Sequence, residues 1–145
     1  MGIQQILMIV LSILILSSMF LVTLRMIKSA SVRTNRNFIK DELSEYASEV
    51  IYYYNLPQKL SGGGLEIKVE CDTLIASYLK FDKDDDTNYK IHTTNNATYH
   101  LNVYSGYVDI IAYGKEIGND KQNVVEFKLT VNPSMEEQYN IEIKN

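Results

Sequence analysis

Phe38-Ile39-Lys40-Asp41-Glu42-Leu43-Ser44-Glu45-Tyr46-Ala47-Ser48-Glu49-Val50-Ile51-Tyr52-Tyr53-Tyr54-Asn55-Leu56-Pro57 is the stretch on which the fold turns. Ile39, Leu43, Tyr46, Val50 and Tyr53 recur at alternating spacings of four and three, and Phe38, Ala47 and Tyr54 widen the stripe. That spacing predicts one buried face of an α-helix. Asp41, Glu45 and Glu49 follow one another at four-residue intervals on another side, where stacked like charges need water or an outside cation. Asn55-Leu56-Pro57 stops the helix, because a proline and the residue before it both resist helical continuation. Reading backwards, neither Gly nor Pro occurs between Gln4 and Tyr54. One helix from Ile3 to Tyr54 is therefore expected, about 78 Å long at 1.5 Å per residue.

Upstream, Ile3 to Leu24 carries no charged residue and is mostly Ile, Leu, Met, Val and Phe. About 20 such residues cross a bilayer as a helix. A cleaved secretory signal would need a basic start and a shorter apolar core. Met1-Gly2-Ile3-Gln4-Gln5 has no basic residue before the run, so a retained span is expected. Ser12, Ser17, Ser18 and Thr23 interrupt it, either to let neighbouring helices approach closely or simply to bond back to their own backbone. Charge divides at the same place: Met1–Lys40 has five Lys/Arg and no Asp/Glu, whereas Asp41–Asn145 has nine against eighteen, so 9 − 18 = −9. Arg25, Lys28, Arg33 and Arg36 just beyond the span would hold that end inside by the positive-inside rule. The acidic folded remainder argues for the outside, and the outside is expected. Such a remainder also disfavours nucleic acid as partner, which is bound through clustered Lys and Arg.

Downstream of Pro57, Gly62-Gly63-Gly64 reads as a flexible reversal of the chain. No Gly-Lys-Ser/Thr follows, so a phosphate cradle is set aside. The hydrophobic period then changes from 3.6 to 2. Ile67 and Val69 alternate with charged residues; Tyr99, Leu101 and Val103, then Val108, Ile110 and Ala112, then Val125, Phe127, Leu129 and Val131, and finally Tyr139, Ile141 and Ile143 follow the same rule. Ser105-Gly106 marks a hairpin, and Gly114 to Asn123 a longer polar loop. Asp72 to Phe81 fits a short helix or an irregular strand equally. The expected fold class is α+β: residues 1–54 form a long helix whose 3–24 segment spans the membrane and whose 25–54 segment is amphipathic. Residues 55–145 form an antiparallel β-sheet head packed on the helix's second half.

This order of parts resembles the type IV pilin superfamily. It is more closely similar to uncharacterised bacterial pilin-like proteins with a Gly-Gln-rich start, tyrosines before a proline, a glycine run and a β-rich remainder. Here those features are Gly2-Ile3-Gln4-Gln5, Tyr52-Tyr53-Tyr54 with Pro57, and Gly62-Gly63-Gly64. The resemblance implies leader processing behind a glycine, here Gly2, and assembly of identical copies into a fibre by helix bundling. Type IV pilins usually carry a glutamate fifth in the mature chain; cleavage after Gly2 places Leu7 there.

Nothing in the sequence points to catalysis. His92 and His100 stand apart from Cys71, the only cysteine, and no HExxH, CxxC or GxSxG pattern occurs. No cofactor is expected, with calcium as the one candidate: Asp82, Asp84 and Asp86 match the first three ligand positions of a calcium loop. Thr87 and Thr93 stand where that loop wants Gly and Glu, so a solvated acidic hairpin is the expected reading of the run and a weak calcium site the alternative. Asn96-Ala97-Thr98 satisfies the N-glycosylation pattern. The expected function is a filament subunit whose partners are its own copies, with membrane lipid before assembly. The expected location is the inner membrane, then the cell surface. A solitary membrane-anchored binding module and a minor pseudopilin of a secretion machine are the alternatives. Between copies, the basic band at Arg33 and Arg36 is expected to meet the acidic band at Glu45 and Glu49, which a stagger of about 18 Å would align.

Overall fold

The computed structural model describes residues 2–83, 90–117 and 123–144. The chain divides into two compact units, Met1–Thr34 and Asn35–Asn145, and one helix, α1 (Ile3–Asn55), contributes to both. The second unit takes in the second half of the helix, where Asn35 and Glu42 have long-range hydrogen-bond partners at Thr94 and Asn96.

In the first unit, large apolar side chains from Ile3 to Ile27 are about half exposed or more. Among the described residues, α1 is the one helix long and apolar enough, by length and composition, to cross a membrane.

In the second unit, Ile39, Leu43, Ala47, Val50 and Tyr53 of α1 are buried, as the stripe predicts. Phe38, expected to widen the stripe, is 50% exposed, because it lies near the face opposite Leu43 and Val50. After α1 come α2 (Asp72–Tyr78) and six strands: β1 (Asp82–Lys83), β2 (Lys90–Thr93), β3 (Ala97–Tyr104), β4 (Tyr107–Ile117), β5 (Val124–Val131) and β6 (Tyr139–Ile143). They pair antiparallel in chain order. The Ser105-Gly106 turn sets Tyr104 opposite Tyr107, which puts Ala97, Tyr99 and Leu101 on the same face as Val108, Ile110 and Ala112. β5 adds Val125, Phe127, Leu129 and Val131 to that face, all completely buried. The ambiguous stretch after Cys71 is helical, with Asp72 in its first turn, where a carboxylate suits the helix dipole.

Two expectations change. Ile67 and Val69 do not form a strand: Val69–Cys71 is a 3₁₀ turn leading directly into α2, so Ile67 is buried while Val69 is 55% exposed. The loop expected from Gly114 is shorter, because β4 continues to Ile117. Gly114 is there for proximity: a Cβ would lie 2.8 Å from Asn35 Oδ1 and 2.9 Å from the Ile39 Cδ1 methyl, so the bare backbone is what lets β4 approach α1. The glycine run is likewise a close-fitting cap for the helix end. Gly63 N–H donates to the Tyr53 carbonyl at 2.8 Å and Leu65 N–H to the Tyr54 carbonyl at 2.8 Å, satisfying acceptors that a helix C-terminus otherwise leaves open. A Cβ on Gly62 would sit 2.1 Å from that of Leu56.

Candidate functional site

The apolar segment of α1 is the first candidate surface. Its hydroxyls turn inward: Ser12 donates to the Met8 carbonyl at 2.8 Å, Ser17 to Ile13 at 2.7 Å, Ser18 to Ile15 at 2.8 Å and Thr23 to Met19 at 2.9 Å. Each polar group is satisfied by its own helix, so the outer surface is apolar enough for lipid or for another apolar helix. Gly2 stands open, with nothing within 4 Å of where a Cβ would project.

The second candidate is a polar seam between α1 and the β2–β3 turn, and it centres on Glu42, a residue that the side-chain spacing along α1 does not single out. Glu42 Oε1 accepts from Asn96 Nδ2 at 2.7 Å; Oε2 accepts from Thr94 Oγ1 at 3.1 Å and from the Tyr99 hydroxyl. Two turns earlier on the helix, Asn35 Nδ2 donates to the Asn96 carbonyl at 2.9 Å. The turn is organised locally, since Thr94 Oγ1 accepts from the backbone N–H of Asn96 and Ala97 at 3.2 and 3.3 Å. Burial, then the bond to Glu42, pushes the Tyr99 phenol well above its ordinary value, so it remains a donor at physiological pH. Tyr46 packs edge-on against Tyr99 at 5.2 Å and against Phe81 at 5.4 Å. The glycosylation pattern falls inside this seam: the Asn96 amide that a glycan would need is held by Glu42.

Glu45 and Glu49, expected to serve contacts between copies, line a surface cleft of about 230 Å³ together with Glu42, Lys80 and His92. Burial and the neighbouring Glu45 raise the Glu49 carboxyl above its usual value, with Lys80 acting against them. A raised carboxyl favours folding fully only below its unfolded pKa, and that contribution is lost as pH rises through the folded value. Glu49→Gln is therefore expected to raise the melting temperature of the detergent-solubilised chain at pH 7 and to leave it unchanged at pH 3. Circular dichroism at both pH values checks this; an equal shift at both would show that the carboxylate charge is not the cause. Of the basic pair, Arg33 is exposed and Arg36 is half-buried.

Asp82 lies in β1 opposite Ile91 and is exposed, whereas Asp84 and Asp86 lie outside the described residues. Among the described residues, no group of three or more His, Cys, Asp or Glu is placed to hold a metal ion. His92 contacts the rings of Phe81 and Tyr46, at 5.7 and 6.4 Å, and His100 that of Tyr113 at 5.1 Å, so each histidine is accounted for by aromatic packing.

The fold and these surfaces define a chain with a bilayer-length apolar helix and an antiparallel sheet that meets the helix's second half. Comparison with protein-family models, with curated proteins and with solved structures finds no match.

Proposed function

We propose that this chain is a structural subunit of a type IV pilus-like filament, held in the membrane by its apolar helix and then assembled by bundling of that helix with identical ones. The observation that carries this reading is the Ile3–Leu24 surface: it is uncharged, its large apolar side chains are about half exposed or more, and its hydroxyls bond back to their own helix. Lipid suits such a surface before assembly, and the same segment of other copies suits it afterwards. The head belongs on the outer side and, after assembly, at the cell surface. A solitary anchored binding module, or a minor pseudopilin, would use the same helix without repetition.

Proteinase added to intact spheroplasts is expected to remove the head; full protection, with digestion in a lysed control, would place the head inside. Negative-stain imaging of sheared surface material, with mass spectrometry of this chain, is expected to show fibres containing it. Glu45→Lys is expected to shorten or abolish them without loss of membrane insertion, and adding Arg33→Glu and Arg36→Glu is expected to restore them in part. Normal fibres from Glu45→Lys at low salt would remove the charge-band contact. Abundant membrane protein with no fibre from the parent chain would favour the solitary anchor.

A further inference from the structure

We propose that the heads of neighbouring copies dock through two different surfaces of the same chain: the apolar face of β6 on one copy receives the outward stripe of α1 on the next. The inference rests on the reading of the chain as a self-assembling subunit and specifies where its heads meet.

The first surface is the part of the sheet's apolar layer that the described residues leave exposed. Register places Ile143, Ile141 and Tyr139 opposite Phe127, Leu129 and Val131, and residues directly opposite project from the same face. Those three β5 residues are completely buried, yet Tyr139 and Ile143 are 45% and 50% exposed. The apolar layer therefore runs one strand beyond its cover, and it does so on an edge strand, where proteins ordinarily place charge to discourage pairing.

The second surface is the side of α1 opposite its buried stripe. Phe38, Asp41, Glu45, Ser48 and Tyr52 recur at spacings of three and four and all are exposed, with Phe38 at 50% and Tyr52 at 58%. This ridge has aromatic ends and an acidic middle.

Charge selects a second copy as the occupant. Glu42 reaches the β2–β3 turn from one flank of α1. Lys40, two residues earlier and exposed, lies about 160° away round the helix, on the flank turned away from the β2–β3 turn, and in the sheet order β5 and β6 are the strands farthest from that turn. The apolar strip of β6 thus has a basic flank, and the ridge that would fill it carries Asp41 and Glu45. Bringing Glu45 level with Lys40 shifts one copy along the helix axis by about five residues, or roughly 8 Å; this alignment and the one of about 18 Å on Arg33 and Arg36 are alternatives for Glu45, and rescue of Glu45→Lys by Arg33→Glu with Arg36→Glu would overturn this one. Because the two surfaces are distinct patches, the contact is heterologous, and repetition extends it without closing into a two-fold dimer.

The test uses the full chain in native membranes with Cys71→Ser as background. Glu45→Cys combined with Ile143→Cys, under mild oxidation, is expected to give a ladder of covalent dimers, trimers and higher species, whereas each single-cysteine chain gives none. Adding Lys40→Glu is expected to weaken the ladder about fivefold at low ionic strength, the loss of one charge pair. Cross-linking by Ile143→Cys alone, stopping at dimers, would mean that β6 pairs with itself and would overturn the proposal. Fibres in the same preparation without a ladder would overturn these surfaces and leave self-assembly standing; absence of both would overturn the two together.

Discussion

Leu43→Ala is expected to lower the melting temperature of the head by roughly 15 °C. Leu43 is completely buried at the centre of the α1 stripe, between Ile39, Ala47 and Val50, which are also completely buried. Truncation removes the transfer free energy of the missing atoms and leaves a cavity that a rigid helix on a rigid sheet cannot close, which costs about 2–5 kcal/mol. For a domain of this size each kcal/mol corresponds to about 4 °C. Glu45→Ala, on the exposed ridge of the same helix, is the reference and should stay within about 0.5 kcal/mol. Thermal circular dichroism of the two variants decides the matter, and equal shifts would mean that α1 does not supply the head's core.

Glu42→Ala should cost nearly as much, for a different reason. Its carboxylate is the common acceptor for Thr94, Asn96 and Tyr99, and removing it leaves three donors at a part-buried seam without their partner. A buried polar group deprived of its partner costs about 1–3 kcal/mol, and the partial exposure here lets water replace some of the loss. A total of about 3 kcal/mol, or roughly 12 °C, is expected. Tyr99→Phe, which removes one donor and keeps the ring against Tyr46, should cost about 1 kcal/mol. Should Glu42→Ala behave like Glu45→Ala, the seam contributes nothing to holding α1 on the sheet. The Asn96 amide offers a second readout: its hydrogen exchange should accelerate in Glu42→Ala and remain slow in Glu45→Ala.

Legibility in this chain follows the range of the forces involved. The α1 stripe, the bilayer-length apolar run and the inward residues of β3, β4 and β5 were readable because each is a local period, 3.6 or 2, imposed by one apolar environment on consecutive residues. The Ser105-Gly106 hairpin was readable because a two-residue turn is also local. The short alternation at Ile67 and Val69 misled, since two apolar positions cannot outweigh the helical start at Asp72. Gly62-Gly63-Gly64 suggested flexibility, whereas it serves a close fit against Leu56 and Tyr53 that only the folded chain displays.

The sequence alone thus determined the α+β class, the position of the apolar helix and the faces that β3, β4 and β5 bury, all of which follow from side-chain periodicity along one segment. Tertiary structure alone decided that Glu42 is a structural acceptor while Glu45, three residues on, is a surface charge. Along the helix the two are chemically alike and nearly adjacent in azimuth. What separates them is the β2–β3 turn, brought from more than fifty residues away in the chain to meet one flank of the helix and not the next. The uncovered face of β6 was hidden for the same reason, because Tyr139, Ile141 and Ile143 alternate like any inward-facing strand and only the sheet order reveals that the helix's cover stops one strand short.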